Sequence, residues 1–330
     1  MGGSSLRDAC GPRRAHEARR GDVARRTRAS VEVPRVTDFQ RFPGRATTLG
    51  EGMQIVRLLP TLGRRTIGAW CFLDHFGPVN VAAGRGMRVG PHPHIGLQTV
   101  TWLLEGEVLH RDSLGFTQPI RPGQLNLMTA GRGISHSEES PAQRLPRLHG
   151  AQLWIALPES RRHGEPAFEH HASLPRVEYA GLGVTLIVGE AFGQRSPASI
   201  HTPLVGMELR ARASQETQLP VHPAYEHGVM VLKGTATVEG QEIAPGELLY
   251  FGTGRKALGI ETRDAATLLL VGGVPFEESI LMWWNFVGRN REELVAVSRE
   301  WNAGIDRFGR VNGYDGERIP APLPPWAAEA

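Results

Sequence analysis

The sequence predicts an all-β protein built from two small β-barrels. Short apolar segments recur along the 330 residues, and 40 Gly and 24 Pro are scattered between them without a period. This pattern is typical of many short strands joined by turns. An internal repeat supports two copies of one unit, because residues 122–132 align without a gap with residues 245–255, and residues 103–106 align with 231–234. Each copy has about 130 residues, a size that suits a small barrel.

The elements follow in chain order. Strands are predicted in the first half at 54–59, 69–73, 98–104, 108–112, 125–128 and 150–157, and in the second half at 184–188, 204–209, 228–233, 235–238, 247–251 and 267–271. Residues 159–176 are rich in charge and connect the halves. One amphipathic helix is predicted from Arg289 to Trp301, with Asn290 as its N-cap. We therefore divide the chain into a disordered Arg-rich tail at 1–30, a first barrel with a metal site at 31–165, and a second barrel with a C-terminal helix and tail at 166–330.

Composition excludes several classes of protein. The net charge of +3 comes from the tail, which alone carries +5, so the remaining chain is slightly acidic. This balance and the absence of interleaved basic and aromatic residues argue against a nucleic-acid groove. The sequence has no GxGxxG, GxSxG or GxxxxGK[ST] motif and no apolar run near the roughly 18 residues of a membrane span. The two cysteines, Cys10 and Cys71, suggest free thiols in a reducing cytoplasm, without a membrane partner.

Two segments carry the chemistry. His92 and His94 alternate in a Gly- and Pro-rich segment, and His136 and Glu138 have the same spacing downstream. Residues at i and i+2 of a strand point to one face of the sheet. If the two strands are neighbours, three imidazoles and one carboxylate converge. This donor set suits a divalent first-row metal such as Fe, Mn, Co, Ni or Cu better than Ca²⁺ or Mg²⁺, and it leaves coordination positions open.

These motifs resemble the pirin family of bicupins, proteins with two cupin-type, jelly-roll-like β-barrels. The resemblance is carried by residues 90–96, 104–106 and 128–138, and further on by 284–287 and 318–322, and it spans roughly residues 38–326. It implies that His92, His94, His136 and Glu138 bind one metal ion in the first barrel, with Fe(II) as the expected metal.

The sequence departs from the common family pattern at two positions. Ile95 and Gln98 stand where many pirins have Arg and Glu. Because a neutral amide is a poor metal ligand, we assign the fourth ligand to Glu138 and expect Gln98 to orient a ligand or contact substrate. Ile95 and Met128 are candidates for the pocket wall, with Leu97 and Phe76. His110, which alternates with Asp112, is a candidate for supporting the metal histidines, whereas Trp283 and Trp284 are assigned to packing.

The repeat also allows a prediction for the second barrel. Alignment places Pro220, His222 and Gly259 in the slots of His92, His94 and His136, while Glu226 and Glu261 occupy the slots of Gln98 and Glu138. Two of the three histidines are thus missing. We predict that the second barrel binds no metal and serves as structure, as a wall of the site or as a partner surface.

Three functions are compatible with these motifs. Some pirins cleave flavonols such as quercetin with O₂, and the first hypothesis is a quercetin 2,3-dioxygenase-like enzyme in which Glu138 accepts the proton of the substrate hydroxyl. The second is a metal-dependent regulatory protein that binds a transcription regulator or a metabolic enzyme. The third is another cupin oxygenase or an isomerase, since one fold hosts many reactions. We expect a monomer that binds a small aromatic substrate and O₂.

Overall fold

Antiparallel strands form most of the described chain, as the sequence predicts, and they build two β-barrels. A computed structural model describes residues 39–84 and 86–328. The Arg-rich tail at 1–30 and Cys10 lie outside the described residues. The described residues belong to one compact unit.

The first barrel consists of a seven-stranded sheet facing a four-stranded sheet. The strands of this half of the chain are β1 (Phe39–Pro43), β2 (Arg45–Leu49), β3 (Met53–Leu59), β4 (Trp70–Asn80), β5 (Arg88–His94), β6 (Leu97–Glu105), β7 (Val108–Asp112), β8 (Thr117–Ile120), β9 (Leu125–Thr129), β10 (Ile134–Glu139), β11 (Arg147–Ala156) and β12 (Ala167–His171). The large sheet has the order β12-β9-β6-β11-β4-β3-β2, and the small sheet has the order β5-β10-β7-β8. The interior strand β6 is buried on both faces over most of its length, including its polar residues Gln98, Thr99 and Thr101.

The second barrel repeats this plan. Its strands are β13 (Arg176–Tyr179), β14 (Leu182–Ala191), β15 (Gln194–Arg195), β16 (Leu204–Ala211), β17 (Gln215–Pro220), β18 (Glu226–Lys233), β19 (Ala236–Val238), β20 (Gln241–Ile243), β21 (Glu247–Phe251), β22 (Ala257–Thr262) and β23 (Ala266–Gly273). The larger sheet has the order β1-β21-β18-β23-β16-β14-β13, with β15 paired to β14, and the smaller one has the order β17-β22-β19-β20. Strands β18, β21 and β22 are the counterparts of β6, β9 and β10, as the sequence repeat predicts.

Strand pairing crosses the boundary that we place between residues 165 and 166. Strand β1 lies at the start of the described chain but pairs with β21 of the second barrel, with Phe39 opposite Phe251. Strand β12 follows the predicted boundary but pairs with β9 of the first barrel, with Ala167 opposite Thr129. Each barrel is therefore completed by residues from beyond its own contiguous segment.

The interface between the barrels is a continuous apolar core. Trp70 and Trp102 are buried there among residues of both barrels. The Trp70 indole donates to the carbonyls of Val205 and Gly272, both at 3.2 Å, and Trp102 donates to the Glu208 carboxylate at 3.0 Å. These bonds satisfy the polar atoms of two large buried rings and connect the barrels directly.

The chain ends by packing against the first barrel. Strands β24 (Leu281–Trp283) and β25 (Phe286–Gly288) form a hairpin that leads into helix α1 (Arg291–Ala303). The predicted helix, Arg289 to Trp301, begins and ends two residues before the observed one. The predicted N-cap is confirmed, because the Asn290 side chain accepts a hydrogen bond from the Glu293 amide at 2.8 Å. Two 3-10 turns follow at Asp306–Phe308 and Pro325–Ala328. Phe286 and the buried face of α1 pack on Ile95, directly behind the strand that carries the predicted metal ligands.

None of the helices in the described part of the chain has the length and hydropathy of a membrane span. Cys71 is a free thiol that is fully buried, and burial raises its pKa to about 12. A thiol with so high a pKa carries almost no thiolate near neutral pH and is chemically inert.

Candidate metal centre

Neighbouring strands β5 and β10 bring the predicted ligands together. The strands are antiparallel, His136 lies opposite His92, and the register shifts between His136 and Glu138. The ring centroids of His136 lie 4.3 Å from His92 and 4.9 Å from His94. The three imidazoles form a buried group whose ligand atoms all lie within 4.8 Å of one another.

Hydrogen bonds orient two of these rings. The Nδ1 atom of His92 lies 2.8 Å from the Gly90 carbonyl, and the Nδ1 atom of His94 lies 2.9 Å from the Asn285 carbonyl. Because a carbonyl oxygen only accepts, both Nδ1 atoms carry the proton and both Nε2 atoms present a lone pair. Fixing the tautomer through the outer nitrogen is how proteins prepare a metal-binding histidine.

The third ring is oriented by a chain of side chains that runs away from the cavity. The Nδ1 atom of His136 lies 3.4 Å from Nδ1 of His110, and Nε2 of His110 lies 3.0 Å from the Asp112 carboxylate. The carboxylate requires a proton on His110 Nε2, so His110 Nδ1 accepts from His136. The His110 ring stacks on Phe168 at 4.5 Å. His110 therefore leaves the Nε2 atom of His136 free to bind a metal.

Burial sets the charge of the three imidazoles. It lowers the pKa of His92 to about 4 and lowers the pKa values of His94 and His136 well below their ordinary value. The rings are thus neutral near pH 7, the form that binds metals.

Glu138 lies on the other side of His136. Its carboxylate groups with His136 and His110, rather than with His92 and His94, within the same 4.8 Å limit. Burial raises its pKa, and the Thr101 hydroxyl lies 3.2 Å from its Oε1 atom. All four predicted ligands nevertheless line one cavity. A carboxylate whose pKa is raised holds a proton better than an exposed one does, which suits it to act as a base.

The cavity above these ligands has a volume of about 330 Å³, within the range of small-molecule sites. Aromatic side chains form much of its wall. Phe72 and Trp154 stack with centroids 3.9 Å apart, and Trp284 contributes from the C-terminal hairpin. Arg57 binds the Asp74 carboxylate through two hydrogen bonds of 2.8 Å and lies over the Phe72 ring. The site thus combines an aromatic wall with fixed polar groups.

Several residues were predicted to contact substrate or to support the ligands, and one of them does contact a ligand. This residue is His110, which orients His136 as described above. None of Gln98, Ile95 and Met128 lines the cavity. The Gln98 amide donates to the Thr129 hydroxyl at 2.8 Å and to the Ser199 carbonyl at 2.9 Å. Ile95 packs under α1, and Met128 belongs to a core cluster with Leu97.

Several cavity residues were missed by the sequence analysis. Trp284, which we assigned to packing, lines the cavity, and the neighbouring carbonyl of Asn285 orients His94. Their approach to β5 depends on a contact between distant parts of the chain. Asp74 could have been recognised as a candidate from the sequence. It lies within the apolar run at 70–76, and a carboxylate is rarely buried there without a function or a partner.

The donor set fits a transition metal. The Nε2 atoms of His94 and His136 are only 3.0 Å apart. Two nitrogens that each bind a metal at about 2.0–2.1 Å lie about 3 Å apart when their bonds to it are perpendicular. Neutral imidazoles with free lone pairs, together with one carboxylate, match Fe, Mn, Co, Ni or Cu rather than an all-oxygen Ca²⁺ or Mg²⁺ site.

The second barrel lacks this arrangement. Among residues 39–84 and 86–328, the groups of three or more potential ligands that lie close enough together are the two that share His136. His222, in the slot of His94, accepts a hydrogen bond from the Ala224 amide at 3.2 Å. The structure therefore places the candidate metal centre in the first barrel.

Comparisons with known proteins agree with this architecture. The Pirin family model matches residues 52–155, and the model of the Pirin C-terminal cupin domain matches residues 206–309. A pirin-like protein of Caulobacter vibrioides is 35% identical over 288 residues, which are 85% of this chain and 98% of the relative.

Two relatives have names that state an activity. A Pseudomonas aeruginosa protein with the provisional name quercetin 2,3-dioxygenase is 48% identical over 293 residues, covering 88% of this chain and 92% of its own. The crystal structure of a quercetin 2,3-dioxygenase from Acinetobacter baumannii is also 48% identical, with a TM-score of 0.85 over 87% of this chain and 96% of that one.

Proposed function

Because the chain belongs to the pirin family, we propose that it is a metal-dependent dioxygenase that cleaves a flavonol or a similar aromatic enol with O₂. The names of two relatives, each 48% identical to this chain, supply the substrate class. The observation that carries the proposal is the convergence of His92, His94, His136 and Glu138 at an aromatic-walled cavity. A regulatory surface would need no such cavity above the ligands.

The protein's own residues suit this reaction. His92, His94 and His136 would hold the ion, and Glu138 would complete its donor set. Once bound, a redox-active metal ion supplies the means to bring O₂ and an electron-rich enolate together. The aromatic wall of Phe72, Trp154 and Trp284 would stack on a planar substrate and exclude water from it.

Glu138 is the proposed base. Its raised pKa favours removal of the hydroxyl proton from an entering enol, whose oxygen then gains negative charge. The Thr101 hydroxyl at 3.2 Å holds one carboxylate oxygen in place.

The identity of the metal, the oligomeric state and the cellular compartment are also proposals. We propose Fe(II) as the resident metal, since the family resemblance favours iron and the donor set accommodates it. We retain a monomer in the cytoplasm as the working prediction, with no nucleic-acid partner.

Oxygen uptake with quercetin tests the function. Full-length protein reconstituted with Fe(II) should consume O₂, and uptake should scale with bound metal. His136→Ala should lose both metal and uptake, whereas His171→Asn, which alters a histidine paired with Glu169 outside the cavity, should retain them. Absence of uptake from protein with one metal ion per chain would overturn the flavonol dioxygenase proposal, and affinity capture of protein partners would then test the regulatory alternative.

A further inference from the structure

A second cavity lies at the end of the second barrel that corresponds to the metal-bearing end of the first. It has a volume of about 610 Å³ and lies between the segment 189–204 and the connection from β17 to β18. Its wall includes His222, which occupies the slot of His94, and Tyr225. It shares no lining residue with the metal cavity.

The polar groups of this wall are mainly hydrogen-bond donors. The Nδ1 atom of His222 accepts from the Ala224 amide, so its Nε2 atom carries the proton and can donate. Arg161 is exposed and adds a guanidinium group, for which no ion pair is seen within the described part of the chain. A wall rich in hydrogen-bond donors suits a ligand that accepts hydrogen bonds.

The net charge of the wall favours a monoanion. Arg195 is paired with Glu190, so these two charges cancel. Arg161 is the remaining charged group of the wall, because the Glu169 carboxylate, which also acts on His201, does not line the cavity and bonds to His171. Burial and the Arg161 cation lower the pKa of His201 against the opposing effect of Glu169, so the imidazole adds no charge near neutral pH.

The remaining surface is apolar or aromatic. Ala198 and Leu204 are buried, and Ile200 is half-buried. The rings of His222 and Tyr225 lie 4.5 Å apart and form one side of the cavity. These groups can cover the faces of a planar ring, while the donors bind its charged group.

We propose that this cavity binds a small aromatic monocarboxylate, with Arg161 and His222 bound to the carboxylate and Tyr225 against the ring. At the end of the fold where the first barrel has metal ligands, the second barrel thus has hydrogen-bond donors for an anion. The site does not depend on the metal or on the proposed dioxygenase activity.

Fluorine NMR with 4-fluorobenzoate tests the site on full-length, metal-loaded protein. We expect saturable binding, and 4-fluorobenzamide, which has the same shape without the charge, should bind at least about tenfold more weakly. Arg161→Gln should cause a loss of the same size, and Arg161→Lys should restore part of the affinity. The matched control is Arg263→Gln, which removes an exposed arginine from the turn between β22 and β23 and should leave affinity unchanged.

A metal-site variant separates this proposal from carboxylate binding at the metal. His136→Ala should bind 4-fluorobenzoate as the unmodified protein does, even where it abolishes oxygen uptake. Binding that disappears in His136→Ala but persists in Arg161→Gln would overturn the proposal. Equal binding of acid and amide, or no saturable binding at millimolar probe, would overturn it as well.

Discussion

At the scale of single residues, the contact of His136 with His110 determines how the metal centre is held. His110 accepts from Nδ1 of His136 and donates to Asp112. Loss of such a partner typically costs about 10–100-fold in metal affinity. His110→Phe keeps the stack on Phe168 but removes both hydrogen bonds, so we expect a loss of this size in a chelator competition assay.

His110→Gln is the matched variant, because an amide can still accept and donate at this position. It should retain part of the affinity lost in His110→Phe. Unchanged metal affinity in His110→Phe would show that His136 does not need this partner.

A second residue-scale prediction concerns His227 in the second barrel. The ring is fully buried, neither nitrogen has a hydrogen-bond partner within the described residues, and burial lowers its pKa to about 4. The folded state therefore binds fewer protons than the unfolded state between pH 6.5 and 4, and the free energy of unfolding falls as pH falls through this window. From these pKa values the loss between pH 7 and pH 5 is about 2 kcal/mol.

His227→Leu removes this titration and should flatten the pH dependence by about that amount in urea unfolding at pH 7 and pH 5. The other buried histidines titrate in both proteins, so the difference isolates His227. Parallel pH profiles for the two proteins would contradict the lowered pKa.

At the scale of elements, β1 completes the second barrel from the beginning of the described chain. Arg41 donates to Glu247 at 2.9 Å and to the Glu242 carbonyl at 2.7 Å, and Phe42 packs on the core between the barrels. Deleting residues 1–44 removes this strand and exposes the edge of β21. We expect a loss of about 3 kcal/mol in the free energy of unfolding.

The control is deletion of residues 1–30, which removes the Arg-rich tail and leaves β1 intact. This shorter deletion should leave the unfolding midpoint unchanged in urea. Equal midpoints for the two truncated proteins would mean that β1 contributes little to the barrel.

The exchanged strands also show what the sequence could predict. The apolar runs and the repeat between 122–132 and 245–255 predicted two barrels, and the i, i+2 histidine spacing predicted which side chains share a face. The pairing of β1 with β21 was not predictable, because a short edge strand has no local signal for a partner two hundred residues away. The same holds for Trp284 and Asn285, whose positions at the metal centre depend on how the C-terminal hairpin docks.

At the scale of the whole molecule, the two barrels share one core. Trp70 and Trp102 form hydrogen bonds across their interface. Strand β1 pairs with β21 of the second barrel, and β12 pairs with β9 of the first. The C-terminal hairpin packs on the first barrel. With so many contacts between the halves, unfolding of one removes the support of the other. We therefore expect a single cooperative transition, seen alike by far-UV circular dichroism and by release of metal from the first barrel.

A substitution in the second barrel tests this coupling. Leu268 is fully buried there, and Leu268→Ala should cost about 3 kcal/mol and lower the unfolding midpoint by about 6 °C or more. Although this residue lies in the core of the barrel without the metal centre, the temperature of metal release should fall by the same amount. Thr235→Ala, at an exposed position in the same barrel, should shift neither temperature. Metal release that stays at its original temperature while the circular dichroism midpoint falls would show that the barrels unfold independently, against the continuity of the core.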